Sequence, residues 1–262
     1  MAITDPLALQ VLAIAKEAGD KIMEIYDRDF AIYEKQDTSP LTEADLAAHK
    51  SIVAGLEAIS ELPILSEESA DISWEERKTW DKYWLVDPLD GTKEFIKKNG
   101  EFTVNIALID GGKPIMGVVY APALSKSYVG IVGQGAWTET AAGVNPISAK
   151  PHQPGELWKV VGSRSHQSPE IQNLLAQLEG ETELVAMGSS LKLCLVAEGE
   201  AHLYPRLGPT SEWDTGAAHA VALAAGADVT VLDAADPLNS DAEALTYNQK
   251  ESVLNPYFLV SA

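Results

Sequence analysis

The chain has 262 residues, of which 46% are hydrophobic and 22% are charged, and these values are ordinary for a soluble globular protein of one or two domains. Its 39 acidic residues outnumber its 19 Lys and Arg residues, which gives a net charge of −20. Such a charge argues against nucleic acid or an anionic membrane surface as a partner. A phosphate-containing substrate would therefore need positive charge supplied locally at its site.

Cysteine content and the N-terminal sequence predict a cytoplasmic protein. The single cysteine, Cys194, excludes a disulfide within the chain, which is typical of a reducing compartment, and its apolar neighbours predict a buried, inert thiol. The N-terminal stretch has no basic segment before its apolar residues, and no run of about 18 apolar residues occurs. We expect neither a signal peptide nor a membrane span, and nothing in the sequence argues for loose association with a membrane.

Two helices are predicted at the start of the chain. Asp5 has the residue type of an N-cap, Pro6 suits the first helical position, and apolar residues then recur at helical spacing. The second helix is predicted within residues 39–59, with Leu46 and Leu56 among the apolar residues of one face.

An antiparallel sheet is predicted to follow, with the two helices on one side of it. Its strands are expected at 62–65, 83–86, 102–109, 113–120 and 127–132. The sequence Asp110-Gly111-Gly112 predicts a hairpin turn between the third and fourth of these.

After about residue 150 the pattern changes to strands that alternate with helices, which indicates an α/β layer. We predict strands at 158–163, 182–187, 201–205 and 228–232, and helices at 169–178, 189–199 and 214–226. The segment 148–156 contains two prolines and a glycine, so it predicts a boundary between a first domain, 1–150, and a second, 151–262.

Two acids at the end of a predicted strand, in the stretch "WLVDPLDGT", are the first candidate functional residues. Asp87 and Asp90 are expected in a turn stiffened by Pro88, and two carboxylates this close repel each other unless a cation lies between them. The acids and the Leu89 carbonyl form an all-oxygen set that suits Mg²⁺. The alternative is a solvent-exposed turn, and the local spacing favours neither.

Further acids permit both a local and a functional interpretation. Glu67 lies in a loop after a predicted strand and is either part of a solvated turn or a third metal ligand. Asp45 fits a capping box with Thr42, and Asp214 precedes an alanine-rich helix that it could cap. On local grounds alone the structural interpretation of each acid is favoured.

Basic and hydroxyl side chains beside Gly and Ser turns are candidate anion contacts in so acidic a chain. They are Arg164, His166, Ser189, Ser190, Lys192 and Arg206. Gly91 permits an unusual backbone angle, and Thr92 is expected to begin a helix whose free N–H groups favour an anion. Taken singly, each of these residues is better explained as an ordinary surface charge or helix residue.

Taken together, the motifs resemble those of the inositol monophosphatase superfamily of lithium-sensitive, Mg²⁺-dependent phosphomonoesterases. The E-E motif stands here as Glu67-Glu68, the D-P-[IL]-D-G-T motif as 87–92, and the W-D motif as Trp213-Asp214, in the order typical of that superfamily. Within it, the stretches 83–109, 163–166, 188–199 and 203–221 resemble the bacterial 3′(2′),5′-bisphosphate nucleotidases. The resemblance covers almost the whole chain.

This resemblance implies an α/β (α+β) fold, a layered αβαβα sandwich, with two or three Mg²⁺ ions as cofactors and inhibition by Li⁺. It implies metal ligation by Glu67, Asp87, the Leu89 carbonyl, Asp90 and Asp214. It further implies that Asp45 and Thr92 activate the attacking water, and that the phosphate and nucleotide contacts are Gly91, Thr92, Ser163, His166, Ser189, Lys192 and Arg206.

The reaction implied is hydrolysis of 3′-phosphoadenosine 5′-phosphate to AMP and phosphate by a monomer or homodimer. Two alternatives stay open. One is a phosphatase of the same chemistry that acts on inositol-1-phosphate or another small phosphoester, and the other is a non-catalytic sensor of phosphate ligands. The second-half bases favour a nucleotide, and the complete ligand set argues against a sensor.

Overall fold

The computed structural model describes residues 3–34, 40–162 and 169–262. Its helices are α1 (Pro6–Tyr26), α2 (Glu43–Ile59), α3 (Trp74–Arg77), α4 (Thr92–Ile96), α5 (Pro169–Gln177), α6 (Leu191–Ala197) and α7 (Glu212–Ala224). Its strands are β1 (Ile32–Glu34), β2 (Pro40–Thr42), β3 (Ile64–Ser66), β4 (Lys82–Asp90), β5 (Thr103–Asp110), β6 (Lys113–Ala121), β7 (Lys126–Ile131), β8 (Gly135–Thr140), β9 (Gly143–Ile147), β10 (Trp158–Gly162), β11 (Thr182–Ala186), β12 (Leu203–Arg206), β13 (Asp228–Val231) and β14 (Phe258–Ser261). None of the helices in the described ranges combines the length and the apolar character that a membrane span requires.

The first sheet has the order β3-β4-β5-β6-β7-β8-β9 in the described part of the chain. Its hairpins are antiparallel as predicted, and the turn between β5 and β6 places Gly111 and Gly112 at φ of 55° and 76°, which the twist of a tight hairpin favours. The prediction was wrong for β3, which pairs with β4 in parallel. The connection from β3 to β4 contains α3 and is long enough for a parallel crossover.

The second sheet has the order β11-β10-β12-β14-β13 among the described residues. The predicted alternation of strands and helices is confirmed, and β10 pairs in parallel with both β11 and β12. Strand β14 was not predicted, and it pairs in antiparallel fashion with β12 and β13. The sheets separate along the chain between β9 and β10, at the segment that we propose as the boundary between domains 1–150 and 151–262.

Among the described residues, three apolar cores fill the interfaces between five layers of secondary structure, and one of these cores extends over both faces of the middle helix layer. Successive residues of β4 show the principle, since Trp84 belongs to the core under α1 and α2 while Leu85 belongs to the core on the other face. That second core also contains residues of α6, α7 and the second sheet, and a third core packs Leu174 of α5 against the far side of that sheet. The layered αβαβα fold predicted from the sequence is confirmed.

Helix α7 lies very close to the first sheet, on the side opposite α1 and α2. A Cβ on Gly117 would lie 2.1 Å from the carbonyl oxygen of Ala217, and one on Gly130 would lie 2.4 Å from the Cα of Val221. Two glycines on neighbouring strands therefore permit the close approach of the helix that carries Asp214.

The buried face of α2 differs slightly from the predicted one. Ala48, Ile52 and Leu56 are fully buried, as helical spacing requires, whereas Leu46 is 39% exposed. Asp45 takes the inward position beside it because its side chain is tied to neighbouring polar groups, described below.

Candidate metal and phosphate site

Strand β4 delivers Asp87 and Asp90 through a β-bulge, whereas the sequence predicted a turn after the strand. Asp87 pairs with Asn105 and Asp90 with Thr103, so three steps along β4 oppose two steps along β5. Pro88 has no N–H to contribute to the ladder, and such residues are tolerated at bulges. A bulge redirects side chains without ending the strand, which explains how both acids stay on one rigid element.

Three carboxylates from distant parts of the sequence converge beside this bulge. Glu67 comes from the short 3₁₀ turn that follows β3, Asp87 from β4, and Asp214 from the first turn of α7. One carboxylate oxygen from each lies within 4.8 Å of the others. The structure therefore brings together three of the predicted ligands that are far apart in sequence.

Burial and mutual repulsion make this cluster electrostatically unfavourable without a cation. Burial raises the pKa of Asp87 well above its ordinary value of 3.8, and the negative charges of the neighbouring acids raise it further. Burial and the charge of Asp90 raise the pKa of Asp214 to about 8. Burial also raises the pKa of Asp90 to about 6, although Lys192 and the backbone N–H of Ser190 favour its ionised form.

The donor set fits a hard divalent cation. Asp87 is 1% exposed; its Oδ1 accepts a hydrogen bond from the Leu89 N–H at 3.0 Å, while its buried Oδ2 has no hydrogen-bond partner among the described residues. A buried, unpaired carboxylate oxygen is costly unless a cation binds it. Oxygen ligands from carboxylates are those that Mg²⁺ prefers, so the residues present agree with the predicted metal.

The predicted pair Asp45 and Thr92 is in contact. Thr92 is the first residue of α4, and its hydroxyl donates to Asp45 Oδ1 at 3.2 Å. Asp45 Oδ2 accepts from both the N–H and the hydroxyl of Thr42, at 2.8 and 2.7 Å. The capping box of α2 and the contact with Thr92 therefore use different oxygens of one carboxylate.

Gly91 and Ser189 bring two further segments together at this point. Gly91 has φ of 89°, as the sequence led us to expect, and a Cβ there would lie 3.1 Å from the carbonyl oxygen of Glu101 and 3.3 Å from the Cβ of Ser189. Ser189 is itself buried and has φ of 47°, which is uncommon for a residue with a side chain. The loop before α6 thus packs directly on the start of α4.

Asn105 is a site residue that the sequence interpretation missed. Asp90 Oδ2 accepts from the Ser190 N–H at 2.5 Å and from Asn105 Nδ2 at 3.5 Å. Asn105 Oδ1 accepts from the Ser190 hydroxyl, at 2.9 Å, and Ser190 also bonds to the hydroxyl of Thr103, at 2.8 Å. No local signal marks Asn105, although its place on β5 opposite Asp87 follows once the strands are paired.

Two predicted cations lie beside the acids. Burial lowers the pKa of Lys192 on α6, and the negative charge of Asp90 opposes this change. Arg206, at the end of β12, donates to the carbonyl oxygen of Pro209 at 3.0 Å, whereas its buried Nε has no hydrogen-bond partner in the described part of the chain. The predicted contacts Ser163 and His166 lie outside the described residues.

The layered fold and the acid cluster together indicate the class of protein to which this chain belongs. The sequence model of the inositol monophosphatase family matches residues 4–257, so the chain belongs to that metal-dependent family. An IMPase structure from Thermotoga maritima, 21% identical, covers 98% of this chain and 92% of its own with a TM-score of 0.74, which shows the shared fold.

Closer relatives carry a more particular name. The chain is 51% identical over 255 residues to the 3′(2′),5′-bisphosphate nucleotidase CysQ of Escherichia coli, which covers 96% of this chain and 98% of that protein. The crystal structure of CysQ from Bacteroides thetaiotaomicron is 42% identical, with a TM-score of 0.83 over 98% of this chain and 97% of that one. The resemblance noted from the motifs alone is therefore confirmed.

Proposed function

We propose that this protein is a bisphosphate nucleotidase that hydrolyses the 3′-phosphate of 3′-phosphoadenosine 5′-phosphate to AMP and phosphate. The observation that carries the proposal is that the acid cluster Glu67, Asp87 and Asp214 lies together with a half-buried Lys192 beside Asp90. Identity of 51% to nucleotidases over 96% of the chain supports the substrate class.

The proposed cofactor is Mg²⁺, in two or three ions. Glu67, Asp87 and the Leu89 carbonyl would hold one ion; Asp87, Asp90 and Asp214 would hold a second, and a weaker third would lie near Glu67. Bound Mg²⁺ neutralises phosphate charge, stabilises the leaving ester oxygen and lowers the pKa of water. It also explains how so acidic a protein accepts a polyanion.

Asp45 and Thr92 are the proposed pair that accepts the proton from the attacking water. Because the Thr92 hydroxyl donates its hydrogen to Asp45, its oxygen presents lone pairs to a water on its other side. Asp45 is 2% exposed and held at its other oxygen by Thr42, so its orientation is fixed before substrate arrives. Such pre-set geometry is the first requirement of general-base catalysis.

The proposed substrate contacts divide between the two phosphates. The backbone N–H groups of Gly91 and Thr92 would bind the phosphate that is hydrolysed, since the first N–H groups of a helix have no partner within it. Lys192 and Arg206 would bind the phosphate that stays, and the unpaired buried Nε of Arg206 supports this role. Ser163, His166 and Ser189 would complete the nucleotide contacts.

Phosphate release from 3′-phosphoadenosine 5′-phosphate and from inositol-1-phosphate, measured side by side with Mg²⁺ and with EDTA, tests the proposal. We expect Mg²⁺-dependent release with a strong preference for the nucleotide. Preference for inositol-1-phosphate would refute the proposed roles of Lys192 and Arg206. No phosphate release from either compound would refute the proposed enzymatic activity. We further propose a cytoplasmic monomer or homodimer, since the lone buried Cys194 suits a reducing compartment.

A further inference from the structure

A fully buried carboxylate lies two residues before Asp214 and has no part in the site described above. Glu212 is 1% exposed, and both its oxygens accept from the backbone N–H of Asn248, at 3.0 and 2.9 Å. Asn248 has φ of 52°, a conformation that asparagine adopts more readily than most residues. A carboxylate is seldom buried unless its neighbours compensate it, so this contact needs an explanation.

The compensation comes from a buried arginine on the far side of Asn248. Arg77 is 3% exposed, and its Nη1 donates to Asn248 Oδ1 at 2.8 Å. In return, Asn248 Nδ2 donates to the Arg77 carbonyl oxygen at 2.7 Å. Arg77 Nη2 also donates to the Glu251 carbonyl oxygen at 2.6 Å, and its Nε donates to that of Ile72 at 3.3 Å. Asn248 thus bridges a buried cation and a buried anion.

These bonds tie the C-terminal strap, which we define as residues 247–255, to both sides of the acid cluster. On one side, the segment 70–77 follows the turn that carries Glu67. On the other side, the Glu212 N–H donates to the Val253 carbonyl oxygen at 2.8 Å, and Asn255 Nδ2 donates to the carbonyl oxygen of Ser211 at 2.8 Å. The strap therefore spans the two segments that flank Glu67 and Asp214.

The acid cluster needs such a link more at these two positions than at Asp87. Asp87 is held inside a long strand of the first sheet, whereas Glu67 lies on a short turn after the three-residue edge strand β3, and Asp214 lies in the first turn of a helix. Like charges at the ends of such segments tend to separate. A fixed link between the segments opposes that separation.

We propose that Glu212, Asn248 and Arg77 are positioning residues that hold Glu67 and Asp214 at the spacing a divalent cation requires. The link to catalysis rests on the proposed function, whereas the link to cation binding does not. Mutation of residues that contact metal ligands without binding the metal themselves typically weakens metal affinity about 10–100-fold. The strap would therefore act on cation affinity more than on the affinity for substrate.

The test measures Mn²⁺ binding to the whole protein by electron paramagnetic resonance, without substrate. Glu212→Gln keeps an oxygen to accept from Asn248 but removes the charge, and Asn248→Gly keeps the backbone conformation but removes the bridge to Arg77. Glu198→Gln is the matched control, because Glu198 is another carboxylate with little exposure, 12% for its side chain, and it bonds to Tyr128 and Lys126 at the other end of α6. We expect at least tenfold weaker binding in both strap variants and wild-type binding in the control.

Enzyme assays separate positioning from general loss of structure. In each strap variant the Mg²⁺ concentration for half-maximal activity should rise at least tenfold, while the KM for the nucleotide at saturating Mg²⁺ stays within about twofold. Unchanged Mn²⁺ affinity in the strap variants, or an equal loss in Glu198→Gln, would overturn the inference. If Glu212→Gln does not fold, Asn248→Gly decides the question. If the wild type binds Mn²⁺ but does not hydrolyse the nucleotide, the proposed function is wrong. The comparison of Mn²⁺ affinities then still tests whether the strap positions Glu67 and Asp214.

Discussion

Replacing Asp214 with asparagine should stabilise the metal-free protein while it abolishes activity. The pKa of Asp214 is raised from 3.8 to about 8, so at pH 8 ionisation favours the unfolded chain by about 5 kcal/mol relative to a neutral side chain. Part of this unfavourable free energy belongs jointly to the neighbouring acids, so replacing Asp214 does not recover all of it. Loss of a negative charge in the first turn of α7 costs about 0.5 kcal/mol. The introduced amide oxygen can still accept from the Ser211 N–H, as the carboxylate of Asp214 does at 2.8 Å. We expect a net gain of about 2 kcal/mol, or roughly 4–8 °C in Tm.

The same shift predicts how the stability of the metal-free wild type depends on pH. A carboxyl group with a raised folded-state pKa leaves the folded chain holding more protons than the unfolded chain, so stability falls as pH rises towards the folded pKa. For Asp214 this loss is on the order of 1–2 kcal/mol between pH 6.5 and 8. Glu212, with its pKa raised to about 7 by burial, contributes in the same direction. This window of pH 6.5 to 8 lies above the range in which His219, whose pKa is lowered to about 3 by burial, would make stability rise with pH.

Urea unfolding followed by circular dichroism, in EDTA at pH 6.5 and 8, measures both effects. Asp214→Asn should be more stable than the wild type at pH 8 and should show a smaller pH dependence, and saturating Mg²⁺ should stabilise the wild type more than the variant. Asp5→Asn is the control, because Asp5 caps α1 away from the acid cluster and should change stability by less than about 0.5 kcal/mol. A variant that is less stable than the wild type in EDTA at pH 8 would refute the argument that the cluster is strained.

Three other outcomes are expected. Thr92→Val should lower kcat by about 10²–10⁴-fold, because it removes the hydroxyl that links water to Asp45. Thr92→Ser keeps that hydroxyl and should keep most of the activity. Equal losses of kcat in the two variants, measured in steady-state assays, would contradict the proton-acceptor role. Lys192→Ala should raise the KM for the bisphosphate nucleotide roughly 30-fold, which corresponds to about 2 kcal/mol. Its effect on the KM for a simple phosphomonoester should be smaller. An equal rise in KM for both substrates would argue against recognition of the second phosphate by Lys192. Li⁺ should inhibit the enzyme by competing for a magnesium position, and activity that is indifferent to Li⁺ at any Mg²⁺ concentration would count against the proposed cofactor arrangement.

Short-range chemistry made much of the fold predictable. Asp5 accepts from the Ala8 N–H as an N-cap should, and Gly111 and Gly112 form the expected hairpin turn. The apolar neighbours of Cys194 correctly indicated a buried thiol, whose pKa is raised by burial. For the cap and the turn the decisive interaction lies within a few residues, and for Cys194 the local apolar pattern already marks a helix that is buried against other elements.

Long-range pairing could not be obtained in this way. Strand β14 is stabilised by β12 and β13, and neither its short sequence nor its neighbours in the chain require it. Asn105 gains its role from Ser190, which is 85 residues away. The bulge in β4 was mistaken for a turn because Pro88 and Gly91 are typical of turns, and only the register with β5 distinguishes the two. Such features depend on which elements meet, which local propensity does not determine.

The two alternatives left open for Asp45 and Asp214, helix cap or site residue, do not exclude each other. Each aspartate is the third residue of its helix, and one oxygen accepts from the N-cap backbone, at 2.8 Å for both Thr42 and Ser211. A carboxylate has a second oxygen, and the cap fixes its direction because the side chain loses its rotational freedom. In Asp45 that oxygen accepts from Thr92, and Asp214 is a member of the acid cluster. The capping box thus fixes the orientation of a carboxylate in the candidate site, so a strong cap signal is no argument against the proposed roles of Asp45 and Asp214.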